Sequence, residues 1–277
     1  MQGSSNSTLQ AQFAKNNIAD RVLTTIDYEF EITKMTPENW KTVPVIINSY
    51  NRKTYLEELV YYLRNNGYEN IYIIDNNSTY LPLLDFYVEK KLRVFYLSDN
   101  VGYLSLWQTS VFDYFIDEYY VLTDSDVVPV TDTPTDFIAA FANILDKYSF
   151  LDKVGFSLEL EDLPNENPET IEIIKHEKDF WLYDINDEFY FSPIDTTFAL
   201  YKPNAKGGWW LNSGRAKRPY IAKHLPWYEN AKKLTDDDKY YYNSVKKSTH
   251  WSSKKRRGGL FKYIKSLTIG KIKRHFS

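Results

Sequence analysis

The run YYVLTDSDVVP, residues 119–129, is the stretch on which the reading of the fold turns. Tyr120-Val121-Leu122 is apolar and β-prone, and Tyr119 to Thr123 runs straight into Asp124-Ser125-Asp126. Two carboxylates one residue apart at a strand end can share one hard divalent cation, and that cation can bridge the two phosphates of a nucleotide. A D-x-D also arises by chance in many sequences, so its weight depends on its surroundings.

Upstream, the same pattern repeats three times. Val43 to Asn48 is a short β-rich run that ends in Ser49-Tyr50-Asn51-Arg52. A helix follows from about Thr54 to Asn66, with Leu56, Leu59, Val60 and Leu63 on one face, and Asn66-Gly67 stops it. Ile71 to Ile74 is the next strand, broken by Asp75-Asn76-Asn77-Ser78; a helix from Pro82 to Lys90 leads to a third strand, Leu92 to Leu97. Ser98-Asp99-Asn100-Val101-Gly102 ends that strand, and a helix from Leu104 to Ile116 returns the chain to the D-x-D strand. This βαβαβαβ order predicts an α/β fold, a mostly parallel sheet flanked by helices. Asn, Asp, Ser and Gly stop strands of any kind. Four such loops in register have a further meaning, because ligands of these sheets collect at the carboxyl ends of the strands.

Downstream, Thr133-Pro134 reads as a helix N-cap with Pro at the first helical position, and Val154 to Leu160 as a fifth strand. Residues 161–187 are acidic and read as a loop with a short helix. Phe189 to Ser192 and Thr196 to Tyr201 read as strands around Pro193-Ile194-Asp195, and Lys206 to Arg218 as a loop bearing Gly, Trp and Arg. Thr235 before three Asp residues opens a capped helix.

Composition narrows the chemistry. With 277 residues, 43% hydrophobic and 26% charged, disorder and collagen-like repetition are excluded. The 24 Tyr, 16 Phe and 7 Trp supply rings able to stack on sugars and bases. Without cysteine there is no disulfide scaffold, thiol nucleophile or thiolate metal site, so a metal here needs oxygen and imidazole ligands, which points to Mg²⁺ or Mn²⁺.

At this point the chain resembles the GT-A-fold nucleotide-sugar glycosyltransferases, in particular the family-2-like bacterial enzymes of polysaccharide assembly. VPVIINSYNR (43–52), IYIIDNNS (71–78), the N-x-G at 100–102 and YYVLTDSDVVP carry the likeness. GFSLELEDLP (155–164), PIDTTFALYK (193–202) and HLPWY (224–228) extend it to residues 40–230. The resemblance implies a GT-A, Rossmann-like sheet and a nucleotide-sugar donor, expected to be UDP-linked. It implies nucleoside contacts from Ser49, Tyr50, Arg52 and Asp75, with Asp124 facing ribose or metal-bound water. It also implies a Mn²⁺ or Mg²⁺ held by Asp126, with His224 at the position of a C-terminal metal or phosphate ligand. Tyr50 reads equally as a buried aromatic, and a lone His is as often structural.

An inverting transferase needs a base for the acceptor hydroxyl. Asp195 is the candidate, with Glu159, Glu161 and Asp162 as a competing set. The Glu-Asp pair usual in family 2, followed by a helix, is absent, since strand-like TTFALY follows Asp195. Arg215 and Arg218 are candidates to neutralise the leaving diphosphate, or else solvated loop charges. Trp227 and Tyr228 suit either a cover for the ligand or the core.

No Asp or Glu follows Asp238, whereas 12 Lys or Arg fall in residues 239–277, giving a body near −15 and a tail near +12. In KKRRGGLFKYIKSLTIGKIKRHF (254–276), Leu260, Phe261, Ile264 and Leu267 share a helical face. Basic and amphipathic, the tail reads as binding an anionic membrane surface. The acidic body and the lack of a nucleic-acid motif argue against nucleic acid. The organisation expected is an N-terminal extension (1–39), a GT-A glycosyltransferase domain (40–238) and a basic tail (239–277). No signal peptide or spanning stretch is seen, so the expected location is cytoplasmic and peripheral at the inner membrane face. The expected acceptor is a glycan or lipid-linked glycan. Two rivals remain: a sugar nucleotidyltransferase, whose usual Gly-rich first loop is missing from SYNR, and a catalytically silent nucleotide- or sugar-binding module.

Overall fold

The apolar runs form strands because each buries both of its faces. Along β2 (Val45–Ser49), Val45 and Ile47 enter one core cluster and Ile46 the other. Along β3 (Ile71–Asp75), Ile71 and Ile73 oppose Tyr72 and Ile74 in the same way, and along β5 (Tyr120–Asp124) Val121 opposes Tyr120 and Leu122. A period of two with helices on both sides is what makes such strands read as unbroken hydrophobic runs.

The computed structural model describes residues 23–26, 32–36, 38–165, 167, 169–230 and 232–245. The tail segment 254–276, on which the membrane expectation rests, lies outside the described residues. Among the described residues no helix is long and apolar enough to cross a membrane.

The remaining strands are β1 (Leu23–Ile26), β4 (Arg93–Leu97), β6 (Val127–Pro129), β7 (Lys153–Leu158), β8 (Phe189–Phe191), β9 (Ala199–Tyr201) and β10 (Ser213–His224). Together they form a 10-stranded sheet in the order β1-β4-β3-β2-β5-β9-β7-β10-β6, with β8 beside β10. β2, β3, β4 and β5 are mutually parallel, and β7 and β10 run the same way. β1, β6, β8 and β9 are reversed, so the sheet is mixed and mostly parallel. β1 comes from the segment expected to be an N-terminal extension.

The helices are α1 (Lys53–Asn65), α2 (Leu81–Glu89), α3 (Ser105–Gln108), α4 (Phe137–Lys147), α5 (Thr170–Lys178) and α6 (Asp236–Ser244). Leu56, Leu59, Val60 and Leu63 of α1 join α2 and α4 side chains in one core; Leu106 and Trp107 of α3 lie in the other. α1 lacks a capping side chain of its own. The carboxylate of Asp237 in α6 serves instead, accepting hydrogen bonds from the amides of Lys53 (2.9 Å) and Thr54 (3.0 Å). α6 is itself closed by the Thr235–Asp238 capping box, and the boundary expected after residue 238 falls inside it.

Three expected elements differ. The helix over 104–116 breaks at Thr109, whose hydroxyl donates to the Ser105 carbonyl (2.9 Å) while its extended backbone starts a 3₁₀ turn, Ser110–Tyr114. α4 begins at Phe137 rather than beside Pro134, because the buried Thr133 hydroxyl donates to the Ile221 carbonyl (2.9 Å) instead of capping. Residues 213–218, expected as loop, open β10, which bonds to β7, β8 and β6. Gly214 permits this: a Cβ there would stand 3.0 Å from the Phe189 ring.

Candidate functional site at the carboxyl edge of the sheet

Register brings the strand ends to one edge. Ser49 pairs with Asp75 and Asn48 with Asp124, so three of the expected polar turns share a single rim. Asn48 ties them together. Its Oδ1 accepts bonds from Asn76 Nδ2 (2.5 Å) and Ser105 Oγ (2.8 Å), while its Nδ2 faces Asp124 Oδ1 at 3.4 Å. Asn76 Oδ1 in turn accepts the Val101 amide at 3.2 Å, drawing in the turn after β4.

Asp124 is the most constrained acid on this rim. Its Oδ2 accepts the Thr196 hydroxyl at 2.6 Å, and its amide donates to the Thr196 carbonyl. Burial, followed by the charges of Asp126 and Asp195, pushes the Asp124 carboxyl well above the ordinary carboxylate range, against the bonds from Thr196 and Asn48. Asp124 thus feels the negative charge of both Asp126 and Asp195.

Asp126 and His224 meet through a different pairing. β6 runs antiparallel to β10 with Val127 opposite His224, and the Leu225 amide donates to the Asp126 carbonyl (2.9 Å). Nε2 of His224 thereby reaches 3.7 Å from Asp126 Oδ2. Asp126 Oδ1 and His224 Nδ1 have no hydrogen-bond partner, and the imidazole rests edge-on against Trp227, with ring centroids 4.8 Å apart. Among the described residues no three His, Asp or Glu side chains cluster closely enough to form a complete metal cage. A carboxylate and an imidazole are donors of the kind that could supply two ligands to a hard cation.

Asp195 is exposed at the same edge, immediately before the Thr196 that holds Asp124. Its backbone is fixed from beneath by Lys153, a fully buried residue whose Nζ donates to the carbonyls of Ile194 (2.8 Å), Asp195 (3.0 Å) and Gly208 (3.0 Å). Burial draws the Lys153 pKa down to about 7, although the charge of Asp195 opposes the fall. The competing acids are engaged elsewhere. Glu159 accepts two bonds from Arg218 (2.8 and 2.9 Å), Glu161 lies 3.1 Å from the same guanidinium, and Asp162 is bonded to Lys223 and Tyr228.

The nucleoside candidates divide. Ser49 and Asp75 are buried side by side. Asp75 Oδ1 accepts the Ser78 amide (2.7 Å), Oδ2 accepts the Tyr87 hydroxyl (2.8 Å), and that hydroxyl is 3.0 Å from Ser49 Oγ. Burial raises the Asp75 pKa against the bonds from Ser78 and Tyr87. The Tyr50 hydroxyl donates to the Ser244 carbonyl at 3.2 Å.

Arg52 is placed otherwise than the sequence reading expects. Its guanidinium is buried between the rings of Tyr55 (4.5 Å) and Tyr241 (4.3 Å) and pairs with Glu229 and Asp238, both at 3.1 Å. It staples α6 to the start of α1. Arg215 is likewise buried, pairing with Glu177 at 2.7 Å, and Arg218 holds Glu159, so neither faces Asp126 as a bare diphosphate ligand. Trp227 is core, and Tyr228 donates to Asp162.

Sequence reasoning passed over Asn48, Asn76, Ser105, Thr196 and Lys153. Asn48 closed the first apolar run, and Asn76 stood in the turn after the second. Lys153 gave no signal, because a lysine before an apolar run ordinarily marks a solvated strand end. A cavity of about 390 Å³, lined in part by Ile32, Pro44, Ser110 and Phe115, opens beside the amino end of β2 and contains none of these residues.

No family model and no curated protein sequence matches the chain. Among solved structures, it is similar to a putative glucose-1-phosphate thymidylyltransferase from Bacillus anthracis in complex with sucrose. The identity is 12%, the match covers 73% of this chain and 84% of that one, and the TM-score is 0.36. A likeness that loose transfers no residue and no activity.

Proposed function

We propose that the chain is a nucleotide-sugar enzyme that transfers a glycosyl group from a UDP-linked donor to a hydroxyl of a glycan or lipid-linked glycan. The observation that carries this reading is the meeting of Asp126 and His224 beside Asp124 and Asp195 on one sheet edge. The GT-A character of the fold is part of the same proposal. Ser49, Tyr50 and Asp75 would border the nucleoside, with Asp75 held in place by Ser78 and Tyr87. Asp126 and His224 would hold Mn²⁺ or Mg²⁺, which supplies charge neutralisation for the diphosphate. Asp124, kept from the edge by Thr196 and Asn48, orients the D-x-D turn.

In the transfer itself, the acceptor oxygen bonds to the anomeric carbon as the bond from that carbon to the diphosphate oxygen breaks. The nucleoside diphosphate leaves, and the hydroxyl proton passes to the Asp195 carboxylate. Asp195 suits this task because it is exposed at the edge while its backbone is anchored by Lys153.

Sugar nucleotidyl transfer is the second reading, and it is the activity for which the similar solved structure is named. It needs cationic side chains for a triphosphate, and the cation of the first turn, Arg52, is committed to Glu229 and Asp238. The products separate the two readings. Incubation with Mn²⁺ and a panel of nucleotide-sugars plus glycan acceptors should release nucleoside diphosphate. Pyrophosphate released from a nucleoside triphosphate and a sugar 1-phosphate would establish the second reading instead. UDP binding with neither product would leave a silent binding module.

A further inference from the structure

Trp209 and Trp210 are 38% and 42% exposed, an unusual state for two consecutive indoles. Their rings meet edge to face, with centroids 6.0 Å apart at 83°, and each keeps part of its apolar surface exposed. The turn that carries them is built for this. Gly207 has φ +133°, a conformation that L side chains rarely adopt, and an added Cβ would collide with the Trp210 indole. Gly208 is fitted just as closely, because a Cβ there would stand 3.4 Å from Asp195 Oδ1 and 3.8 Å from Leu104 Cδ2.

The same turn is locked to Asp195. Lys153 donates to the carbonyls of both Asp195 and Gly208 at 3.0 Å, and the Tyr201 hydroxyl, also 3.0 Å from Nζ, completes its shell. Tyr201 stacks on Tyr120, with centroids 4.9 Å apart, and Tyr120 bonds the Ala205 carbonyl just before the turn. A buried, multiply bonded cation thus holds an exposed aromatic pair and an exposed carboxylate in a fixed relation.

We propose that the Trp209–Trp210 turn is a saccharide subsite for the acceptor, with Asp195 at its inner end. A pyranose offers an apolar C–H face and a rim of hydroxyls. The indoles match the first and the carboxylate matches the second, a combination that a purely apolar ligand would leave unused. The saccharide class follows from this chemistry alone; its role as acceptor rests on the glycosyltransferase reading.

The test is a tryptophan-fluorescence titration of the full chain, without nucleotide or metal. The probes are a panel of di- to tetrasaccharides of hexoses and N-acetylhexosamines. At least one probe should give saturable quenching or a spectral shift. Trp209→Ala and Trp210→Ala should each weaken that binding at least tenfold, whereas Tyr61→Ala, at an exposed ring on α1, should leave it unchanged. Both indoles are partly exposed, so the variants should melt with the wild type, which circular dichroism checks. UDP affinity with Mn²⁺, measured by calorimetry on the same proteins, should not change. Absence of a response to every probe, or retained affinity in both Trp variants, overturns the subsite. Saccharide binding without any UDP binding would uphold the subsite and sink the glycosyltransferase reading, so the two fail separately.

Discussion

Nε2 of His224 lies 3.7 Å from Oδ2 of Asp126, because the antiparallel register of β6 and β10 sets Val127 opposite His224. One strand ends at the D-x-D, and another strand, formed much later in the chain, delivers the imidazole to it. Oδ1 of the same carboxylate has no hydrogen-bond partner.

Asp126→Ala and His224→Ala should each lower Mn²⁺-dependent UDP affinity by at least tenfold while leaving the chain folded. Calorimetry with and without Mn²⁺, paired with thermal melts, checks both parts. Unchanged affinity in the two variants would remove the cation from this pair.

Asp195→Asn should depress turnover by about 10²–10⁴-fold with little change in donor affinity. Glu159→Gln should instead act on stability, since it weakens the pair of hydrogen bonds that Arg218 donates to it. Near-normal turnover in Asp195→Asn would displace it as the base.

Removing the Arg52 guanidinium strands Glu229 and Asp238 in a buried setting. Arg52→Ala should cost about 3–5 kcal/mol, as expected for breaking a buried ion pair. Asp237→Ala, which strips the amides of Lys53 and Thr54 of their cap, should cost about 1 kcal/mol. Urea unfolding measures both. An Arg52→Ala loss below that of Asp237→Ala would mean that α6 is not stapled as described.

Lys153 gives a pH dependence of defined sign. Burial holds its folded pKa at about 7, below the ordinary lysine value, so between pH 7 and about 10.4 the unfolded chain binds the extra proton. The penalty is full below pH 7 and fades as pH rises, so this group makes the protein more stable with increasing pH across that window. Lys153→Met should flatten this slope. At pH 10, where the charging penalty has largely faded, it should instead destabilise the protein, by about 1–3 kcal/mol for each stranded carbonyl among Ile194, Asp195 and Gly208. Melts at a series of pH values report both effects, and an unchanged slope would refute the assignment.

Truncation at Ser253 should abolish sedimentation with anionic liposomes while preserving activity on a soluble acceptor. Each of Lys254 to Arg257 contributes about 1 kcal/mol near an anionic surface. Continued sedimentation of the truncated chain, or preference of the full chain for RNA, would refute the membrane role.

What the sequence determined by itself was local. Strands β2 to β5, helices α1 and α2 and the Thr235 cap follow from short-range periodicity and turn chemistry, which a few neighbouring residues carry whole. The D-x-D and the strand-end turns were legible for the same reason. Only the tertiary structure decided the rest. Ser213 to Arg218 became strand because β7 and β8 accept it, and Thr109 broke a helix through its own hydroxyl. His224 reached Asp126 through register, and Arg52 was paired with Glu229 and Asp238 from far along the chain. Lys153, polar and fully buried, was unreadable, because its stability comes from three carbonyls on two distant turns. Partners of that kind are set by chain folding, and no window of sequence contains them.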